Sequence, residues 1–205
     1  MLLANNYKSI ICLNGLLETI PINAEIIIAA DGAFNQLISR DIIPQVVIGD
    51  FDSLITARHP KARFIQHFDQ NLCDFEKCLL YAESNQLFPS MIVGGYGLEL
   101  DHCFNNMAIF AKYSQKFNLT FFANNSYAKM VKNKIVFSAI KGEIISILPY
   151  PSAIVSSEGL KWELCETQLD IIGKSSARNQ ACNDTIQINV ISGTALVVCS
   201  QDFPA

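Results

Sequence analysis

The sequence predicts two domains, an α/β domain on a parallel, Rossmann-like sheet over residues 1–125 and an antiparallel β-sandwich over residues 126–205. Three observations carry this. Up to about residue 123, short apolar runs of strand length alternate with segments of helical apolar spacing, as in a parallel sheet covered by helices. Near Asn124 the pattern changes to a polar stretch. Beyond it, short strand-like runs are punctuated by turn signals, and no long helical pattern recurs.

In order, Ser9–Leu13 (SIICL) reads as a buried strand and Glu25–Ala30 (EIIIAA) as a second, followed by a helical stretch over Gly32–Ser39. Gln45–Ile48 is a third strand and Ala62–Gln66 a weaker one. Asp74–Ser84 and Asp101–Tyr113 have the apolar spacing of amphipathic helices, with Met91–Val93 a strand between them and Leu119–Phe122 a strand after them. Asn124–Lys134 reads as a linker. Strands are then expected at Lys134–Ile140, Glu143–Leu148, Thr185–Val190 and Ala195–Cys199, with Lys141-Gly142 and Ser192-Gly193 as turns.

Half of the 205 residues are hydrophobic, enough for a sizeable core, and the net charge is −4. No Lys/Arg block is present, so the composition favours neither nucleic acid nor an anionic membrane as partner. No apolar run approaches the roughly 20 residues of a membrane helix. The N-terminus lacks a charged segment followed by a sustained apolar one, which argues against a secretory leader. Seven scattered cysteines without a CxxC pair suit reduced thiols in a cytoplasmic protein better than a disulfide framework or a zinc site.

The chemistry is expected where strands end. Asp31 follows the second strand, Asp50 and Asp52 follow the third, and Asp74 and Asp101 open helices. Singly, each has a local explanation: Asp74 and Asp101 as helix N-caps, Asp50 and Asp52 as turn formers. Together they would meet at one edge, because the carboxyl ends of parallel strands form the ligand crevice of such sheets. Crowded carboxylates repel unless a cation intervenes, and Mg²⁺, which takes oxygen ligands, resolves that conflict. An extended segment would point Asp50 and Asp52 to the same side. Gly32, Gly49, Gly94, Gly95 and Gly97 would let backbone approach phosphate oxygens, and Lys77 lies one turn into its helix, within reach of a phosphate. Neither a Walker A loop nor GxGxxG is present. The residues by themselves imply a Mg-nucleotide or Mg-phosphate site and a phosphoryl or pyrophosphoryl transferase; the acceptor stays open.

Ala30-Asp31-Gly32, the run Val47–Leu54 containing Gly49-Asp50-Phe51-Asp52-Ser53, the run Asp69–Lys77, and Asp101-His102 through Asn106 resemble the thiamine pyrophosphokinase family. So do Gly159-Leu160-Lys161-Trp162 and Ser176-Ala177-Arg178-Asn179 in the second part. The resemblance spans nearly the whole chain. It implies transfer of the diphosphate of ATP to thiamine with release of AMP, in a homodimer with active sites at the subunit interface. It implies that Asp50, Asp52 and Asp74 hold Mg²⁺, that Asp31, Gly32, Ser53, Gly94, Gly95 and Asn106 lie at the nucleotide, and that Lys77 and Asp101 line the phosphate side. Trp162 would cover the thiamine rings, with Ser176 and Asn179 nearby; Trp is the best aromatic face for a cationic ring.

The sequence departs from the family pattern at Leu98-Glu99, where Gly-Arg is usual, at Asn71 and Cys73, and at Arg178 in place of a Ser. Glu99 and Arg178 keep open a non-catalytic nucleotide- or thiamine diphosphate-binding protein, and the acidic motifs alone also admit a diphosphokinase for another hydroxymethyl heterocycle, such as a pterin.

Overall fold

The computed structural model describes residues 7–17, 24–97 and 99–200, which divide into two compact units between residues 124 and 125. The first six residues and Leu98, on which parts of the sequence reading rest, lie outside the described residues.

In the first unit, β1 (Tyr7–Cys12), β2 (Ala24–Ala30), β3 (Val46–Gly49), β4 (Arg63–Gln66), β5 (Ser90–Val93) and β6 (Leu119–Ala123) form a sheet in the order β6-β5-β1-β2-β3-β4. Every neighbouring pair is parallel. The central strands are continuous apolar runs because both faces are covered: Ile10, Ile11, Ile28, Val47, Ile48 and Ile92 are buried. Helices α1 (Ala33–Ile38), α2 (Asp74–Ser84) and α3 (Leu100–Tyr113) connect the strands. In α2 the buried residues Phe75, Cys78, Leu79 and Ala82 fall at i, i+3, i+4 and i+7, one stripe of a helix.

The strand order places the functional edge. From β1 the chain builds outward through β2, β3 and β4, then returns to lay β5 on the other side of β1. Connections after β1 and β5 therefore diverge, and a crevice opens outside the carboxyl ends of these strands. Two backbone hydrogen bonds set its floor: Gly15 N–H to the Gly94 carbonyl and Leu16 N–H to the Tyr96 carbonyl, both 2.7 Å.

The second unit is built on two 15-residue strands, β9 (Ile144–Glu158) and β12 (Thr185–Cys199). The first half of β12 pairs with β8 (Lys134–Ser138) and with the second half of β9, which also pairs with β10 (Thr167–Asp170). Its second half pairs with β7 (Ser126–Val131) and with the first half of β9, which also pairs with β11 (Ser176–Gln180). Register shifts between Val190 and Ala195 separate the halves of β12. Two antiparallel layers thus share their central strands, and Ile145, Ile147, Val155, Ile186, Ile188 and Val197 from both enclose one core. This is the expected sandwich.

Four sequence expectations need correction. Ser192-Gly193 is not a turn joining two strands but lies within the single strand β12. Asn124–Lys134 is not a linker: Ser126–Val131 is strand β7, with Ala128 and Val131 buried and the residues between them partly so. Asp74 and Asp101 are not N-caps; Cys73 and Glu99 hold those positions in extended conformation, and the aspartates sit in the first turn of each helix. Asp50 and Asp52 do not lie on an extended segment, because Phe51 between them is left-handed (φ 72°).

Candidate active site

The residues lining the crevice sit at or after strand ends of the first unit: Leu13-Asn14-Gly15 after β1, Ala30 and Gly32 around the end of β2, Asp50, Asp52 and Ser53 after β3, Gln70, Leu72–Phe75 and Lys77 after β4, and Gly97, Glu99, His102, Asn105 and Asn106 after β5. They enclose about 500 Å³.

Three carboxylates converge here. Oxygens of Asp31, Asp50 and Asp52 lie within 4.8 Å of one another. Asp31 is 1% exposed, and its Oδ1 is buried without a hydrogen-bond partner; Oδ2 takes the Ser53 N–H at 3.5 Å. Burial pushes the Asp31 carboxyl above its ordinary range, and Asp74 and Asp50 push the same way against the Ser53 and Phe51 amides. Asp50, at the open side, is held below the usual range by the Asp52 backbone N–H, by the Gln70 amide and by Lys77. A buried carboxylate oxygen without a donor, facing two further carboxylates, fits a hard divalent cation, which would supply the missing partner and offset the repulsion.

Gly49 makes this approach possible, since a Cβ on it would stand 2.6 Å from Asp31 Cβ. Gly32 is similarly pressed by the Asn14 amide, at 2.3 Å from its notional Cβ.

Asp74 lies on the crevice wall, but its partner is Lys77, whose ammonium donates to Oδ1 at 2.9 Å. Lys77 is 4% exposed, so it is not an ordinary surface lysine of a helix. Burial alone would lower its pKa; the hydrogen bond to Asp74 and the charges of Asp74 and Asp50 overcome this and raise it, so the ammonium is kept. It is the only Lys or Arg among the crevice-lining residues. Helices α2 and α3 begin at the crevice, and their N-cap residues Cys73 and Glu99 make no side-chain capping hydrogen bond. The positive ends of these helices, with Lys77, suit a polyphosphate.

Of the residues anticipated at the nucleotide, Gly32, Ser53 and Asn106 line the crevice. Gly94 and Gly95 serve its floor instead: a Cβ on Gly94 would meet the Leu13 carbonyl at 2.3 Å, and one on Gly95 the Phe121 ring at 2.5 Å. Asn106 reaches the Gly95 carbonyl at 3.1 Å. Asp101 is exposed outside the lining, its Oδ1 accepting from the His102 backbone N–H at 2.8 Å. Sequence reasoning passed over Asn14, Gly15 and Asn105. The Asn-Gly pair directly after a strand was the available signal for the first two.

The second unit holds another group. Trp162 stands in the turn after β9 with its residue 55% exposed, and the Lys161 ammonium lies 4.6 Å from its ring centroid. Ser176 and Asn179 are close by: the Asn179 amide bonds the Trp162 backbone and Ser176 Oγ. Arg178 takes a left-handed conformation (φ 56°) at an irregularity between Ser176 and Asn179 in the β11–β9 pairing. Its backbone N–H bonds Ser146 Oγ at 3.0 Å, and it is exposed, whereas Asn179 is 2% exposed.

Residues 17–123 match the family model described as thiamin pyrophosphokinase, catalytic domain. A thiamine pyrophosphokinase 3 of Oryza sativa subsp. japonica is 21% identical, over 85% of this chain and 78% of its own length. Among solved structures, the thiamine pyrophosphokinase from Bacillus subtilis aligns with a TM-score of 0.77 at 20% identity, over 95% of this chain and 99% of that one. The thiamin pyrophosphokinase from Geobacillus thermodenitrificans gives 0.81 at 17% identity, over 95% and 97%. At these identities the structural matches bear on the fold alone. Among the described residues no helix is long and apolar enough to cross a membrane.

Proposed function

Since the chain belongs to the thiamin pyrophosphokinase family, we propose that it transfers the diphosphate of ATP to the hydroxyethyl oxygen of thiamine, forming thiamine diphosphate and AMP. The observation that carries this reading is the crevice at the strand ends. There, three converging carboxylates, one with an orphaned buried oxygen, stand with a buried lysine and two helix N-termini.

In this reading the crevice takes ATP. Asp50 and Asp52 hold Mg²⁺ with Asp31 beside them, and Asp74, paired with Lys77, borders the group. The cation, when bound, offsets charge on the phosphate oxygens. The protein's own part is positioning more than strong base catalysis. Lys77 and the first amides of α2 and α3 orient the polyphosphate. As the thiamine oxygen bonds to the β-phosphorus, the bond to the α-phosphate oxygen breaks, AMP leaves, and the hydroxyl proton passes to a carboxylate. Asp74 is better placed for it than Asp101, which stands outside the lining. Trp162 offers the face for the thiamine rings, in a homodimer acting in the cytoplasm.

Glu99 on the crevice wall favours a second reading, a protein that binds nucleotide or thiamine diphosphate without turnover, because a carboxylate there opposes phosphate. Incubation with thiamine, ATP and Mg²⁺, followed by separation of the nucleotides, distinguishes the two. AMP with thiamine diphosphate supports the enzyme. ADP with thiamine monophosphate contradicts the diphosphoryl mechanism, and saturable binding without thiamine-dependent AMP supports the second reading.

A further inference from the structure

Without a cation between them, the carboxylates of Asp31, Asp50 and Asp52 repel one another, so the turn that carries Asp50 and Asp52 needs a restraint from its far side. Hydrogen bonds hold the ends of this turn. The Gln66 amide donates to the Asp50 carbonyl at 3.1 Å. The Asn35 side chain donates to the Ser53 carbonyl at 2.8 Å and accepts from the Ile55 and Thr56 N–H groups, each at 3.1 Å. Phe51, between the two aspartates, is left-handed (φ 72°), a conformation unfavourable for a bulky side chain.

The Phe51 ring is held in a column of aromatic contacts. It meets Phe64 of β4 edge to face, with centroids 5.6 Å apart, and Phe64 meets Phe34 of α1 in the same way at 5.1 Å. Phe34 is fully buried on the helix that follows Asp31, so the column ties the Asp50–Asp52 turn to the segment carrying Asp31. At its outer end lies Arg58, whose guanidinium carbon is 4.8 Å from the Phe51 centroid and 5.1 Å from that of Phe64. Among the described residues Arg58 makes no hydrogen bond or ion pair; its contacts are with these two rings. A cation over an aromatic face is attracted by the ring quadrupole, and one guanidinium shared by two rings resists their separation.

We propose that Arg58 is a positioning residue for the cation site: by clamping Phe51 to Phe64 it keeps Asp50 and Asp52 against Asp31 before a cation arrives, so that less ordering is left to binding. The inference rests on the reading of these carboxylates as a cation site. The sign of the effect separates a clamp from a bare charge. By Coulomb repulsion alone a guanidinium near the turn opposes a cation, and its removal would tighten binding. Removal of a clamp weakens it.

The test compares the native full chain with Arg58→Ala, Phe51→Leu and the double variant, using Mn²⁺, which takes the same kind of oxygen ligands as Mg²⁺, as the probe. Bound Mn²⁺ is read from the loss of the free-ion paramagnetic resonance signal. Arg58→Ala is expected to raise the Kd about three- to fivefold, the size of a cation–π contact at a partly exposed site. In the Phe51→Leu background, which lacks the aromatic face, the same substitution is expected to change Kd less than about 1.5-fold, the non-additivity of residues acting through one another. In steady-state assays KM for Mg²⁺ rises with Kd while KM for thiamine stays unchanged. A Kd unchanged or lowered in Arg58→Ala, an equal rise in both backgrounds, or an equal rise in KM for thiamine overturns the proposal. The sign in Arg58→Ala decides the matter if Phe51→Leu does not fold. Absence of Mn²⁺ binding by the native chain overturns the cation-site reading, and the clamp with it.

Discussion

Replacing Asp31 by Asn should make the metal-free protein more stable while disabling it. The carboxylate is 1% exposed, has an oxygen without a donor and faces Asp50 and Asp52 across less than 4.8 Å. Leaving such a group unsatisfied costs about 1–3 kcal/mol. Asn is nearly isosteric, removes the charge and turns one oxygen into a donor toward the neighbouring carboxylates. For a chain of this size a gain of that order raises Tm by about 3–9 °C. The sign with pH follows from burial, which raises the folded-state pKa of Asp31 above that of the unfolded chain. The folded protein then holds the proton more tightly. This contribution is present below the unfolded value of about 3.9 and is lost as pH rises through the folded pKa. The advantage of Asp31→Asn should therefore widen with pH in thermal melts run with a chelator. Added Mg²⁺ should raise the Tm of the native sequence and scarcely that of the variant, and turnover should fall at least about a hundredfold, as when an electrostatic partner of the transition state is lost. A variant that melts at or below the native protein at pH 8 in chelator would refute the account of Asp31 as a strained, cation-seeking carboxylate.

Lys77→Met should leave Asp74 without its partner and the crevice lining without a lysine or arginine, raising KM for ATP and lowering kcat/KM about a hundredfold in steady-state assays. Gly49→Ala should place a methyl 2.6 Å from Asp31 Cβ, costing about 1–3 kcal/mol in denaturant unfolding and weakening Mg²⁺ binding by calorimetry. Arg178→Asn should relieve part of the strain of a left-handed residue and stabilise the protein by about 0.5 kcal/mol in urea titration, with KM for thiamine unchanged.

The fold was legible where one local signal sufficed. EIIIAA and QVVI are buried strands because nothing polar interrupts them, and Asp74–Ser84 shows its helical stripe in the letters alone. Strand β7 was not legible, since Ser126, Tyr127 and Lys129 read as polar loop until β12 pairs with them. The 15-residue lengths of β9 and β12 were hidden for a related reason. Each strand changes partners midway, and the Pro-containing and Gly-containing stretches at those points look like ends.

For the site, the sequence by itself determined which groups are available: aspartates after strands, glycines beside them, a lysine one turn into a helix, and one tryptophan in a β-rich tail. Tertiary structure decided how they combine. Register and the left-handed turn at Phe51 bring Asp50 and Asp52 to Asp31, leaving Asp74 to Lys77. Strand order put the crevice beside β1, and the phase of α3 gave the lining His102, Asn105 and Asn106 but not Asp101. Pairing of β11 with β9 turned Asn179 inward beneath Trp162 and left Arg178 in solvent. Residue types are local information, whereas burial, charge pairing and the direction of a side chain depend on neighbours tens of residues away, which only the folded chain assembles.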